Sequence, residues 1–179
     1  MGILLQFLAT KALAPILGGI VLLVMGEHPV ELSKPQIEVS SDTLHFSTRV
    51  NNAFPEELIE IIKSDIPVVF RLKIEAREDM YVLHRVRYDI EKMVYRVDRD
   101  EDTAVVETED EKEMRELISW FSGIAIPQEA VPSSGKIVLR VSMDKVILEF
   151  LDNEEFDIMT LWNYRSPQRI LEVKREDFK

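Results

Sequence analysis

From Ile66 to Arg77 the chain alternates almost without a break. Ile66, Val68, Phe70, Leu72, Ile74 and Ala76 fall on one side, and Arg71, Lys73, Glu75 and Arg77 on the other. Successive side chains of a strand point to opposite faces, so this pattern describes a strand with one face in a core and one in water. The same period returns elsewhere. Ile37 and Val39 lead through a Ser41-Asp42 turn to Leu44, Phe46, Thr48 and Val50. Ile137, Leu139, Val141 and Met143 alternate, an Asp144-Lys145 turn follows, and Val146, Leu148 and Phe150 return. Such strands pair as hairpins, which constrains the chain to a mostly antiparallel sheet.

A long strand is expected from about Met80 to Val97. Val82, Val86, Tyr88 and Ile90 occupy even positions, but Met93, Tyr95 and Val97 are odd. The face changes near Glu91-Lys92, and one inserted residue would do that, so a β-bulge is predicted there. A tip at Asp98–Asp102 then leads to a short strand, Ala104 to Glu107.

Two segments carry helical spacing instead. Phe54, Leu58, Ile61 and Ile62 predict a helix over about 54–64, with Pro55 early, Asn51 or Asn52 as cap, and Ser64-Asp65 as its end. Thr108-Glu109-Asp110-Glu111 reads as a capping box before Met114, Leu117, Ile118 and Phe121, with Gly123 as the stop. Trp162, Tyr164, an Arg165-Ser166-Pro167 turn and a last strand, Ile170 to Val173, complete the chain. The expected body, residues 36–179, is one α+β domain: a mostly antiparallel sheet with two covering helices.

Ahead of it lies a different kind of sequence. Met1 to Gly26 is apolar apart from Gln6, Thr10 and Lys11, and Ala12 to Met25 carries no charge. Residues 12–25 fit the core of a secretory signal peptide with small residues, Val24 and Gly26, before a cut. Ile3 to Met25 also fits one uncleaved anchor helix across a hydrocarbon core of ~30 Å. A buried core helix is the third reading. Lys11 and the amino terminus precede the apolar run and acids follow it, so both membrane readings put the body beyond the membrane. Residues 27–35, with Pro29 and Pro35, read as a tether.

Charge limits the partners. The net charge is −11, and ten acids against three bases lie between Asp98 and Glu116. A surface of that sign repels nucleic acid and anionic lipid heads. The absence of Cys removes disulfides, thiol nucleophiles, thiolate metal sites and a lipoprotein anchor.

No catalytic constellation stands out. Asp98, Asp100, Asp102 and Glu109 fall at the first, third, fifth and twelfth positions of a calcium loop, but Thr103 stands where that loop needs Gly. An acidic hairpin tip is the favoured reading. His84 lies among Val82 and Val86 on the apolar side of its strand, where a lone His is ordinarily a hydrogen-bonded core residue. Ser142 and Lys145 spell Ser-x-x-Lys at a hairpin corner, without partner motifs. There is no Gly-x-Ser-x-Gly, phosphate-cradling loop or His-Glu-x-x-His, and no cofactor is expected.

Three groups remain as binding candidates. Arg71, Lys73, Arg77, Arg85 and Arg87 form a basic stripe on the exposed sheet face, where Glu75, Asp89 and Glu91 could meet them. A mixed, solvated face is the ordinary reading, and a docking surface the sharper one. Trp162, Tyr164 and Arg165 are of the types enriched at binding hot spots, though the aromatic pair could equally plug the open end of the sheet. Phe70, Leu72, Ile74, Val86, Tyr88 and Phe121 would line a cavity if a helix lay across the sheet.

The leader, SDIPVVFRLKIE, VRYDIEKMVYRV and LWNYRSPQ, in that order, resemble a family of exported bacterial proteins. That family is classed only as a domain of unknown function, number four thousand three hundred and ninety in its series. The resemblance spans about residues 36–168. It implies no activity or catalytic residues. Members often sit beside a membrane histidine kinase, which implies a role in envelope signalling.

The expected function is therefore non-enzymatic. The chain is read as a periplasmic or membrane-anchored envelope protein, attached through its N-terminal segment, that binds an envelope or membrane protein through its sheet face or tail. The alternative is a carrier of an apolar ligand or lipid.

Overall fold

A computed structural model describes residues 29–148, 154–173 and 178 of the chain. The hydrophobic leader lies outside the described residues. Among the described residues no helix is long and apolar enough to cross a membrane.

The strands are β1 Glu31–Leu32, β2 Gln36–Ser40, β3 Thr43–Asn51, β4 Val68–Glu75, β5 Asp79–Asp89, β6 Val94–Arg99 and β7 Val106–Thr108. They continue as β8 Trp120–Pro127, β9 Lys136–Met143, β10 Val146–Leu148, β11 Glu154–Phe156 and β12 Gln168–Glu172. Two α-helices, α1 Glu56–Lys63 and α2 Glu111–Ser119, join them, so the fold is α+β. The main sheet has six antiparallel strands in the order β12-β9-β4-β5-β6-β7. In a smaller sheet β1, β2 and β8 all pair with β3. β10 and β11 form a separate ladder.

The alternation of β4 is realised residue by residue. Val68, Phe70, Leu72 and Ile74 are fully buried, while the residues between them are half-exposed. β9 and β3 bury Leu139, Val141, Leu44 and Phe46 in the same way. These side chains join Leu58, Ile61 and Ile62 of α1 and Met114 and Ile118 of α2 in one contiguous core. Burying a side chain of this size stabilises by about 1.5–3 kcal/mol before conformational entropy is counted.

Local structure departs from the sequence reading at several places. The predicted bulge near Glu91-Lys92 is a hairpin turn between β5 and β6. Asp89 Oδ1 accepts from the backbone N–H groups of Glu91 and Lys92, and Met93 takes φ 60°. Reversing the chain also changes which positions face the core, so a turn and a bulge leave the same trace in the pattern. The predicted capping box is shifted: Asp110 is the cap and accepts from Lys112 N–H at 2.8 Å, while Thr108 donates to Glu113. Neither Asn caps α1. Asn51 belongs to β3, and Asn52 reaches back to the Pro29 carbonyl at 3.1 Å.

Gly123 does not stop α2, which ends at Ser119 because Trp120 already pairs with Arg49. Gly123 instead sits in β8 where the register against β3 slips, at φ +64°, with its N–H donating to Ser47 Oγ. A Cβ there meets nothing within 4 Å. Gly123→Ala is therefore expected to cost only the left-handed backbone penalty, about 1 kcal/mol. Urea unfolding of the two proteins measures it; a loss several times larger would mean a hidden clash.

Val146 to Leu148 does not return along β9 but pairs with β11, since the Asp144 N–H is held by the Val69 carbonyl at 3.0 Å. Phe150 lies outside the described residues. The tether is also shorter than expected. Glu31 and Leu32 pair with β3, Leu32 is buried, and the Ser33 hydroxyl accepts from Arg49 N–H.

Candidate functional site

The outer face of the main sheet carries the basic stripe, and the structure surrounds it with acids. Arg71 forms a fork-to-fork pair with Asp144, at 2.9 and 2.7 Å, and lies 5.5 Å over the Tyr81 ring. Lys73 meets Asp79 at 2.9 Å and Glu75 at 3.4 Å. Arg85 bridges Asp98 and Asp100, and Arg87 grips Asp65. The Asp144 bond chiefly holds the Arg71 guanidinium's pKa up, and the Asp79 bond does the same for the Lys73 ammonium. The donors of these four side chains are thus turned onto neighbours within the fold.

The same pairs take up the proposed calcium ligands. Asp98 and Asp100 serve Arg85, Asp102 serves Arg99, and Glu109 is exposed beyond β7. No group of three metal-ligating side chains forms among the described residues.

The apolar candidates pack against one another. Phe70, Leu72, Ile74 and Phe121 have no exposed surface. Phe70 lies between Phe54 at 5.3 Å and Trp162 at 5.8 Å, and Tyr88 meets Tyr95 edge-on at 4.9 Å. Val86 borders a shallow cleft of about 170 Å³ beside Pro67 and Val105.

The tail divides. Trp162 ends a short 3-10 helix, Ile158–Trp162, whose first turn is capped by the Asp157 carboxylate on Met159 N–H. Its indole is 3% exposed and donates to the Ala53 carbonyl at 3.0 Å, so Trp162 is core and not contact surface. Tyr164 goes the other way. Asn163 and Tyr164 take φ 53° and 55°, and Tyr164 is 67% exposed. A left-handed conformation costs a bulky residue about 1–2 kcal/mol, and such strain gathers at functional positions. Arg165 beside it is exposed and makes no side-chain bond with any described residue. β12 follows as an edge strand of the main sheet, with Ile170 57% exposed.

His84 has no exposed surface, and both its nitrogens are bonded. Nδ1 lies 2.8 Å from the Ile118 carbonyl, which can only accept, so Nδ1 carries a proton. Nε2 lies 2.7 Å from Glu101 Oε1, and the ring stacks on Phe121 at 3.8 Å. Burial pushes the Glu101 carboxyl up, but the His84 bond and charge, with the Ser122 N–H, outweigh it and hold the group below the usual carboxylate range. The pair ties β5, the β6–β7 loop, α2 and β8 together. Glu101 could not be singled out in the sequence, where it is one acid among ten.

No family model, no curated protein and no solved structure matches this chain. The functional argument therefore rests on the geometry.

Proposed function

We propose that this chain is a non-enzymatic protein of the bacterial envelope, presented beyond the membrane by its apolar leader, that binds a protein partner through the Tyr164–Arg165 turn and the adjoining edge of β12. The observation that carries this reading is the contrast among the arginines. Four of the five cations of the stripe, Arg71, Lys73, Arg85 and Arg87, are neutralised within the fold, whereas Arg165 makes no side-chain bond with any described residue and stands beside an aromatic ring held outward at a conformational cost. Arg and Tyr are the residues that dominate binding hot spots, and an edge strand offers a partner main-chain hydrogen bonds. The apolar leader and the resemblance to an exported family support the location, and the family's proximity to histidine kinases supports a signalling partner. The carrier reading is less favoured, because Phe70, Leu72, Ile74 and Phe121 already fill their own space.

Photo-crosslinking in intact cells, through a photoreactive residue placed at the exposed Gln168 of β12, tests the proposal. The chain that carries only this probe is expected to yield a discrete adduct with a membrane or envelope protein. Tyr164→Gly together with Arg165→Ala is expected to abolish it while leaving stability unchanged or up to about 1 kcal/mol higher, since glycine relieves the left-handed strain. An adduct that survives this double change would remove the tail from the interface.

A further inference from the structure

One cleft away from the tail gathers opposite charges without letting them meet. Its volume is about 500 Å³, and Arg77, Glu129, Ser133, Ser134, Val173 and Phe178 are among its walls. The walls come from the loop after β4, a short 3-10 helix Gln128–Ala130, the turn before β9 and the end of β12. Backbone hydrogen bonds fix this frame: Arg77 N–H to Ala130 O at 2.9 Å, Gly135 N–H to Pro132 O at 2.9 Å, and Val173 N–H to Gly135 O at 2.8 Å. Gly135 adopts φ +68°, and a Cβ there would stand 2.4 Å from the Val173 carbonyl oxygen. The cleft is thus preformed, and its volume lies in the range of small-molecule sites.

Arg77 and Glu129 both border it, yet neither side chain bonds to the other or to any described residue. Apart from Arg165, every other described arginine is engaged. A simple anion would meet Glu129 and the repulsion of a chain with net charge −11. A simple cation would meet Arg77. A molecule carrying both charges satisfies both side chains. The Ser134 hydroxyl accepts from Lys136 N–H at 3.4 Å, which leaves its O–H free to donate to an acidic group. Val131 and Pro132, both half-buried on the wall of the cleft, offer apolar surface for a hydrocarbon body.

The geometry points to a binding site for a small zwitterion with an apolar side chain, an amino acid or dipeptide, its carboxylate at Arg77 and its ammonium at Glu129. The test is a titration of the full-length chain in detergent with leucine and with leucyl-leucine, following the amide signals of Gly135 and Val173 by NMR. At least one of the two probes is expected to shift them saturably, and which one does so reports the span between the charges. N-acetyl-leucine and leucinamide, each lacking one charge, are expected to bind at least about tenfold more weakly, as are leucine and leucyl-leucine to Arg77→Ala or Glu129→Ala. Both substitutions are on exposed side chains, so the fold is retained. No shift up to the solubility limit of the probes, equal binding of the blocked forms, or undiminished binding to both variants would each overturn the proposal.

Discussion

Trp162→Ala is expected to lower the unfolding free energy by about 3–5 kcal/mol, while Tyr164→Ala two residues away moves it by less than about 1 kcal/mol. The difference follows from where the turn sends each ring. The indole of Trp162 packs on Phe70, a fully buried residue of β4, and its N–H satisfies the Ala53 carbonyl just before α1. Truncation leaves a cavity the size of an indole between the main sheet and α1, and strands a buried carbonyl. Tyr164 covers no comparable surface. Paired chemical denaturation curves decide the matter. A Trp162→Ala protein as stable as the parent would mean that the 3-10 helix is not docked on the sheet, and would return Trp162 to the interface.

That contrast also shows what a sequence can and cannot convey about this molecule. Strand β4 was legible because its signal is local: alternation alone places Phe70 inward and Arg71 outward. The same holds for β3, β9 and both helices. The β5–β6 hairpin was hidden because Met93 occupies a left-handed position where Gly or Asn would have advertised a turn. Gly123 was misread for the converse reason. A glycine after a helical stripe looks like a helix stop, and only the pairing of Trp120 with Arg49 makes it a strand glycine. The basic stripe was visible, but the neutralisation of Arg71, Lys73, Arg85 and Arg87 depends on register and on loops. Asp98 stands opposite Arg85 only because the unseen hairpin closes, and Asp65 and Asp144 reach Arg87 and Arg71 from loops. The division of the tail into a buried Trp162 and an exposed Tyr164 rests on two consecutive left-handed residues, which no periodicity reports.

Glu101→Ala is expected to cost about 1–3 kcal/mol, the usual loss when a buried polar group is left without its hydrogen-bond partner. His84 would keep its bond to Ile118 but face an empty site at Nε2, stacked on Phe121 with no exposed surface. Glu101→Gln is the sharper variant, because an amide N–H still reaches Nε2 while the titrating carboxyl is gone. The Glu101 carboxyl is held below its ordinary value of 4.5 in the folded chain. Its ionised form therefore adds stability above that pH, and the contribution disappears as pH falls through the lower, folded value. The stability advantage of the parent over Glu101→Gln is thus expected to shrink steadily as pH falls below about 4.5. Asp100, beside Arg85, and Glu111, beside Lys63 and Arg115, are also held low, but both are present in each protein and cancel in the difference. Urea unfolding across that range reads the effect. A difference that stays flat down to about pH 3 would show that Glu101 carries no charge-dependent share of the fold.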